Sequence, residues 1–328
     1  MPLAERYSNT PRTGDPAPLI RMFGWSMLAI LAAFLINNVL DIGFGMGNLR
    51  DLGAGGGYLS VVIYIIAIGL AVAYVMRTST TSLRWDGMQI NKFNVYLIRA
   101  CFWAVLFVGI ADSAIAFMRV EKILELWLGD EGARPFGRAR YVGVYFHIPL
   151  IILGFIVALF TRTLGFTWLA LLIVAAELLI VITRFVFSYE QALMGDLVRY
   201  WYAALFLFAS AYTLFDEGHV RVDVLYAGFK DRTKGFVNAI GSLALGATTA
   251  WIIIVIGMSG KQSIVNSPIM NFEVTQTGSV GMFVKYQMAA FLAIFAVTML
   301  IQFVSYFFEA VADWRGEPGK ITHEPAAH

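Results

Sequence analysis

The sequence predicts an all-α integral membrane protein: about eight transmembrane helices plus amphipathic surface helices, with both termini cytoplasmic. Three observations carry this. Of 328 residues, 59% are hydrophobic and only 14% charged, whereas soluble domains carry about 25% charged residues. The mean hydropathy is +0.71. The apolar residues gather in eight stretches, each close to the roughly 20 residues a helix needs to cross the hydrocarbon layer. No water is present there to satisfy backbone N–H and C=O groups, so such stretches adopt helices.

In chain order the stretches are 22–40, 58–76, 95–118, 142–160, 164–187, 195–215, 236–258 and 288–308. The first follows 21 mostly polar residues and has no clear small-x-small cleavage site after it. It therefore reads as a retained helix and not as a signal peptide. The sixth is the weakest, since its purely apolar part is 201–215. Only Thr161, Arg162 and Thr163 part the fourth from the fifth, which predicts a tight hairpin or one long broken helix.

Lys and Arg in the loops set the orientation. With the N-terminus inside, more than half of the 24 basic residues fall in inside segments. One outside segment, 119–141, is an exception: it holds Arg119, Lys122, Arg134, Arg138 and Arg140, accompanied by Glu121, Glu125, Asp130 and Glu131. Within it Val120, Ile123, Leu124, Trp127 and Leu128 keep helical spacing. That pattern predicts a helix lying along the membrane surface with Trp127 near headgroup level, or else a docking surface for a partner outside. A second surface helix is expected from Val222, Leu225, Tyr226 and Phe229. The Lys230, Arg232 and Lys234 that follow suit the anionic lipids of a cytoplasmic face.

Asp112 falls in the outer half of the third stretch and Glu177 at the middle of the fifth. An acid at that depth costs on the order of 3 kcal/mol on insertion scales. Ion coupling, proton relay and substrate contact are the functional roles open to it. The structural role is a hydrogen bond to a neighbouring helix. Neither acid belongs to a dense acidic cluster, and no Gly-Pro pair breaks a span, so the structural role suits both better.

Several function classes are excluded. A net charge of +2 without a basic run argues against nucleic acid. Cys101 is the single cysteine, so no internal disulfide forms. His147 is the one histidine in a span, too few for a two-histidine haem. No phosphate-binding glycine loop, His-Glu-x-x-His or nucleophile elbow is present, so no cofactor, metal or catalytic residue is expected.

Between the sixth and seventh spans the chain reads Gly218-His219-Val220-Arg221-Val222-Asp223-Val224-Leu225. This string closely resembles the signature of the small membrane (DctQ-like) subunit of tripartite ATP-independent periplasmic (TRAP) transporters. Thr183-Arg184-Phe185-Val186-Phe187 is similar to the end of that family's first helix, and Asp196-Leu197-Val198-Arg199-Tyr200 to the start of its second. The resemblance covers about 164–312 and leaves 1–163 as an N-terminal extension of four spans, with 313–328 a polar tail. The loop 271–278 lacks the family's Pro and Trp pattern.

The resemblance implies a scaffold subunit of a sodium-driven importer of organic acids in a bacterial inner membrane. Its partners would be a large multi-span permease, a periplasmic substrate-binding protein and membrane lipids. Gly218, His219, Arg221 and Asp223 would belong to a cytoplasmic arm helix, and Asp196 and Arg199 to the start of the second family helix. Two other readings stay open: a self-contained ion-coupled carrier using Glu177 and Asp112, and the membrane anchor of a respiratory enzyme.

Overall fold

The computed structural model describes residues 10–163, 165–189, 192–215, 224–275 and 277–320. Among them are eight helices long and apolar enough to cross a membrane: Pro18–Phe44, Tyr58–Arg77, Leu83–Val120, Ala139–Phe160, Phe166–Val186, Ala192–Phe215, Asp231–Gly257 and Lys285–Arg315. They are called spans one to eight. Each contains or nearly contains one of the eight apolar stretches, and several run further into polar sequence. Span three starts twelve residues early because Leu83, Met88 and Ile90 of its first turns are buried. Spans four and five are separate helices. Span four ends at Phe160, where Arg99 of span three donates to the carbonyls of Ala158 and Thr161 at 3.3 and 2.6 Å. A cation thus meets the partial negative charge of a helix C-terminus whose last carbonyls lack helical partners.

The chain divides into two compact units. The first comprises residues 1–94, 219–252 and 299–328. In it, small residues let helices approach closely, as is usual where lipid gives no hydrophobic drive for association. A Cβ on Gly24 of span one would lie 2.4 Å from the Phe308 ring of span eight, and one on Gly235 would lie 2.4 Å from the Trp314 backbone nitrogen.

One end of this unit holds a buried charge network. Arg21 at the start of span one is fully buried and donates from Nε to Asp86 Oδ2 at 2.6 Å. Its Nη atoms reach the carbonyl and the hydroxyl of Thr78, just beyond span two. Arg84, only 2% exposed, donates to Glu309 at 2.9 Å, to Asp313 at 2.8 Å and to the carbonyls of Glu317 and Pro318. Ser305 closes the contact by donating to the Gly87 carbonyl at 2.8 Å. The loop before span three is held as well, since Ser82 donates to the Pro11 carbonyl and Gly14 to that of Thr80.

The second unit comprises 95–218 and 253–298. Span four packs on span three through Gly154, whose Cβ would lie 2.5 Å from the Ala104 nitrogen. Span six packs there through Trp201, which donates to the Val105 carbonyl and covers Gly109. Phe102, Phe208 and Phe291 make edge-on ring contacts with centroids 4.8 to 5.7 Å apart. Span five is the least enclosed. It packs against span six and buries only Leu169, Ile173 and Ala176.

The surface helix expected over 120–128 forms at Ile123–Ala133, with a break at Gly129, whose φ of +68° suits glycine. Leu124 is buried, whereas Leu126 and Trp127 are 81% and 72% exposed. The apolar stripe is therefore split: its first residues face the bundle and Trp127 faces away. Of the second surface helix, Val224–Ala227 is helical and Val222 lies outside the described residues.

Removing one partner of a buried ion pair costs about 3–5 kcal/mol because the other charge stays behind. Asp86→Ala should lower stability by that order in a denaturant titration of the detergent-solubilised protein. Lys92→Ala, at an exposed position of the same helix, should change it by less than about 0.5 kcal/mol.

Candidate functional site: two aspartates beneath the loop before span eight

Residues 272–284 lead into span eight, and two intramembrane aspartates of the second unit hold them. Asp112 of span three is fully buried, and its Oδ2 accepts the Phe283 backbone N–H at 2.7 Å. Asp196, in the second turn of span six, is 2% exposed. Its Oδ2 accepts the Met282 N–H at 3.0 Å and the hydroxyls of Thr275 and Thr277 at 3.1 and 2.8 Å. Charge-assisted bonds of this kind are stronger than neutral ones, and they satisfy backbone donors that water cannot reach.

The close approach depends on Gly281. A Cβ there would lie 1.9 Å from Thr277 Oγ1 and 2.3 Å from Asp196 Oδ2. Arg119 at the end of span three completes the clamp. It donates to the carbonyls of Gly281 and Phe136, and its guanidinium carbon stands 4.1 Å from the centre of the Phe283 ring. Phe272 takes a left-handed φ of +48°, a conformation that costs an L-residue roughly 1–2 kcal/mol. It is held there against Gly143, which leaves room for its ring, and beside Tyr286 at 5.1 Å between centroids.

Asp112 also ends a buried polar chain. Its Oδ1 faces His147 Nε2 of span four at 3.2 Å, and His147 Nδ1 lies 2.9 Å from the Tyr286 hydroxyl. Gln287 Nε2 donates to that hydroxyl at 3.1 Å, and Gln287 Oε1 accepts from the Tyr200 hydroxyl. Tyr200 donates to Gln287 and Gln287 to Tyr286, which leaves the Tyr286 hydroxyl to donate to His147 Nδ1. His147 Nε2 and Asp112 Oδ1 lie within ion-pair distance without forming a hydrogen bond.

Local structure delivers His147 to this point. Gly143–His147 forms one wide π-type turn ahead of Pro149. Pro149 has no N–H to return to the carbonyl of Tyr145, and a widened turn is a usual accommodation at such a place.

The arrangement binds one loop and links four spans. Among the described residues no group of three or more His, Cys, Asp or Glu side chains could hold a metal ion. Asp112 and Glu177 are not brought together. Glu177 lies on the exposed face of span five, between the 64%-exposed Val174 and the 59%-exposed Leu178, and has no hydrogen bond or ion pair among the described residues. Asp196 and Arg199 sit one turn apart. Asp196 points inward, while Arg199 is exposed, with Nη1 4.0 Å from Asp196 Oδ1. Gly218, His219, Arg221 and Asp223 lie outside the described residues.

His147, Tyr286, Gln287, Thr275, Thr277, Gly281 and Arg119 belong to the site and are not singled out by any motif, while Tyr200 closes the motif that begins at Asp196. His147, a lone imidazole inside a span, offers the clearest sequence signal of a polar partner nearby.

Gly281→Ala should cost about 1–3 kcal/mol, the usual range for overpacking. Both atoms that its Cβ meets are already committed to hydrogen bonds with each other. Gly195→Ala, with nothing within 4 Å of the new Cβ, should be neutral or stabilising. Thermal unfolding of the two variants in one detergent separates these outcomes.

Comparison with known proteins adds a family. Residues 171–313 match the family model described as the DctQ component of tripartite ATP-independent periplasmic transporters. That stretch holds most of span five and all of spans six and seven, with span eight nearly to its end. That family is a transporter component and not an enzyme, and spans one to four precede the matched stretch. No curated protein and no solved structure matches the chain.

Proposed function

We propose that this chain, a DctQ-like component of a TRAP transporter enlarged by four N-terminal spans, is the stationary membrane scaffold of its transporter. It pairs with a large multi-span permease that carries the substrate and ion sites, and a periplasmic binding protein delivers the substrate. The cargo class is organic acids, and the driving force is a sodium gradient. The chain spans a bacterial inner membrane with both termini cytoplasmic.

The family match over 171–313 carries this reading. The geometry agrees with it, because the buried polar groups are committed to holding the bundle. Asp112 and Asp196 are occupied by loop N–H and hydroxyl groups, and Arg84 and Arg21 by carboxylates and carbonyls. The intramembrane acids do not converge on a cation-sized cluster among the described residues. A scaffold needs such fixed contacts, whereas a carrier needs polar groups that exchange partners during each cycle.

The four added spans serve the same end. In one unit Arg84, just ahead of the third apolar stretch, grips Glu309 and Asp313 of span eight. In the other, Asp112 and His147 grip Phe283 and Tyr286 near the start of span eight. The extension is thereby fastened toward both ends of one long helix, and its role is to stiffen the family's bundle.

A mild-detergent pull-down of the tagged chain from its native membrane tests the assignment. One large permease recovered one-to-one is the expected result. A chain that emerges alone and transports when reconstituted alone would overturn it. Deleting 1–163 should abolish uptake and reduce the recovered protein, because Phe283, Glu309 and Asp313 lose their partners. Full uptake after that deletion would remove the stiffening role.

A further inference from the structure

Span five carries an unusual combination. Its buried stripe is Leu169, Ile173 and Ala176, all turned into the second unit. Its opposite face is broad and apolar, with Leu171, Val174, Leu178, Val181 and Phe185 between 49% and 78% exposed. Beside the midpoint of Phe166–Val186 that face also carries Glu177. Asp112 and Asp196, by contrast, are each 2% exposed or less and bonded inside the second unit. Glu177 has neither burial nor a bonded partner within the described residues.

Lipid cannot be the resting environment of this face. Acyl chains supply no hydrogen-bond donor, and at this depth a glutamate side chain is too short to bring its carboxyl to the headgroups. What meets Glu177 has to be apolar around it and donate to it. A transmembrane helix with one donor or cationic side chain among apolar neighbours has that chemistry, because polar groups inside membranes are met by polar groups of adjacent helices. A lone polar pair in an apolar seam also fixes register and partner choice, as buried polar positions do in coiled coils.

We propose that the exposed face of span five is the docking seam for the large permease subunit, with Glu177 paired in the hydrocarbon layer to a hydrogen-bond donor or cation on a permease helix. The inference rests on the scaffold reading above. It adds the face, the residue that sets the register and the chemistry required of the partner helix.

The test uses the full-length chain co-expressed with its permease in membranes. Cys101 is the single cysteine and is buried, so an introduced thiol reports its own position. Val174→Cys and Leu178→Cys should cross-link to the permease under a short bifunctional thiol reagent, once single cysteines are placed along the permease helices. Ile65→Cys, which is 64% exposed on span two, should not cross-link. Glu177→Lys should cut co-purified permease at least tenfold with the chain's own membrane level unchanged. Glu177→Gln, which can still accept a hydrogen bond, should retain more permease than Glu177→Lys.

The two readings fail differently. If the wild-type chain recovers no permease, the scaffold assignment falls and the seam with it. If the wild type recovers permease but Glu177→Lys recovers it equally, or Val174→Cys and Leu178→Cys cross-link only to a second copy of this chain, the seam alone falls. Should Glu177→Lys fail to accumulate, the two cysteine variants decide the matter without it.

Discussion

A carboxylate or guanidinium removed from water has to find its hydrogen bonds inside the bundle, and the fold is arranged around that requirement. Asp86 is met by Arg21, Arg84 by Glu309 and Asp313, Asp112 by Phe283 N–H and His147, and Asp196 by three donors of one loop. Apolar contact alone does not order helices in lipid, since acyl chains are as apolar as leucine. Polar contacts and the close approaches at Gly24, Gly154 and Gly235 therefore choose which faces meet.

The same contacts bind each unit to span eight. In one unit Ser305, Glu309 and Asp313 face the start of span three; in the other Tyr286 and Gln287 face spans four and six. Buried ion pairs are poor sources of net stability, because desolvation offsets most of the Coulomb gain. Their effect here is on uniqueness. An alternative helix arrangement would strand Asp112 or Arg84 unpaired, at a cost far above the differences that separate apolar packings. A unit built this way has one internal arrangement and resists sliding between its own helices.

The span pattern was legible in the sequence because hydrophobic length is a property of contiguous residues. The helix ends were less so. Span three begins at Leu83, in a stretch where Arg84, Asp86 and Lys92 make the composition look like a loop, and Arg84 and Asp86 are buried by partners near positions 21 and 309. Such pairing is long-range and leaves no local signal. Asp196 was legible as part of a motif but not as the anchor of Thr275, Thr277 and Met282, since those partners are some eighty residues away. The stripe over 120–128 was legible as a helix but not in which of its residues meet the bundle. Helical spacing shows that residues share a face, while Gly129 and the turn at Lys122 decide which part of that face meets the bundle.

The contrast between Asp112 and Glu177 shows why one rule for intramembrane acids gives two answers. Both follow from the penalty on an unpaired carboxylate in hydrocarbon. For Asp112 the chain supplies the partners itself, a donating loop N–H and an imidazole at ion-pair distance, and the acid becomes part of the chain's own rigidity. For Glu177 the described residues supply none, and the helix that bears it is the least enclosed of the eight. A residue that would destabilise a protein working alone is tolerated when the missing donor arrives with a partner. The penalty then acts as specificity, since the seam is favourable only against a helix that brings the donor at the right depth. A stationary scaffold needs both properties: internal charges that forbid rearrangement, and an outward one that forbids the wrong neighbour.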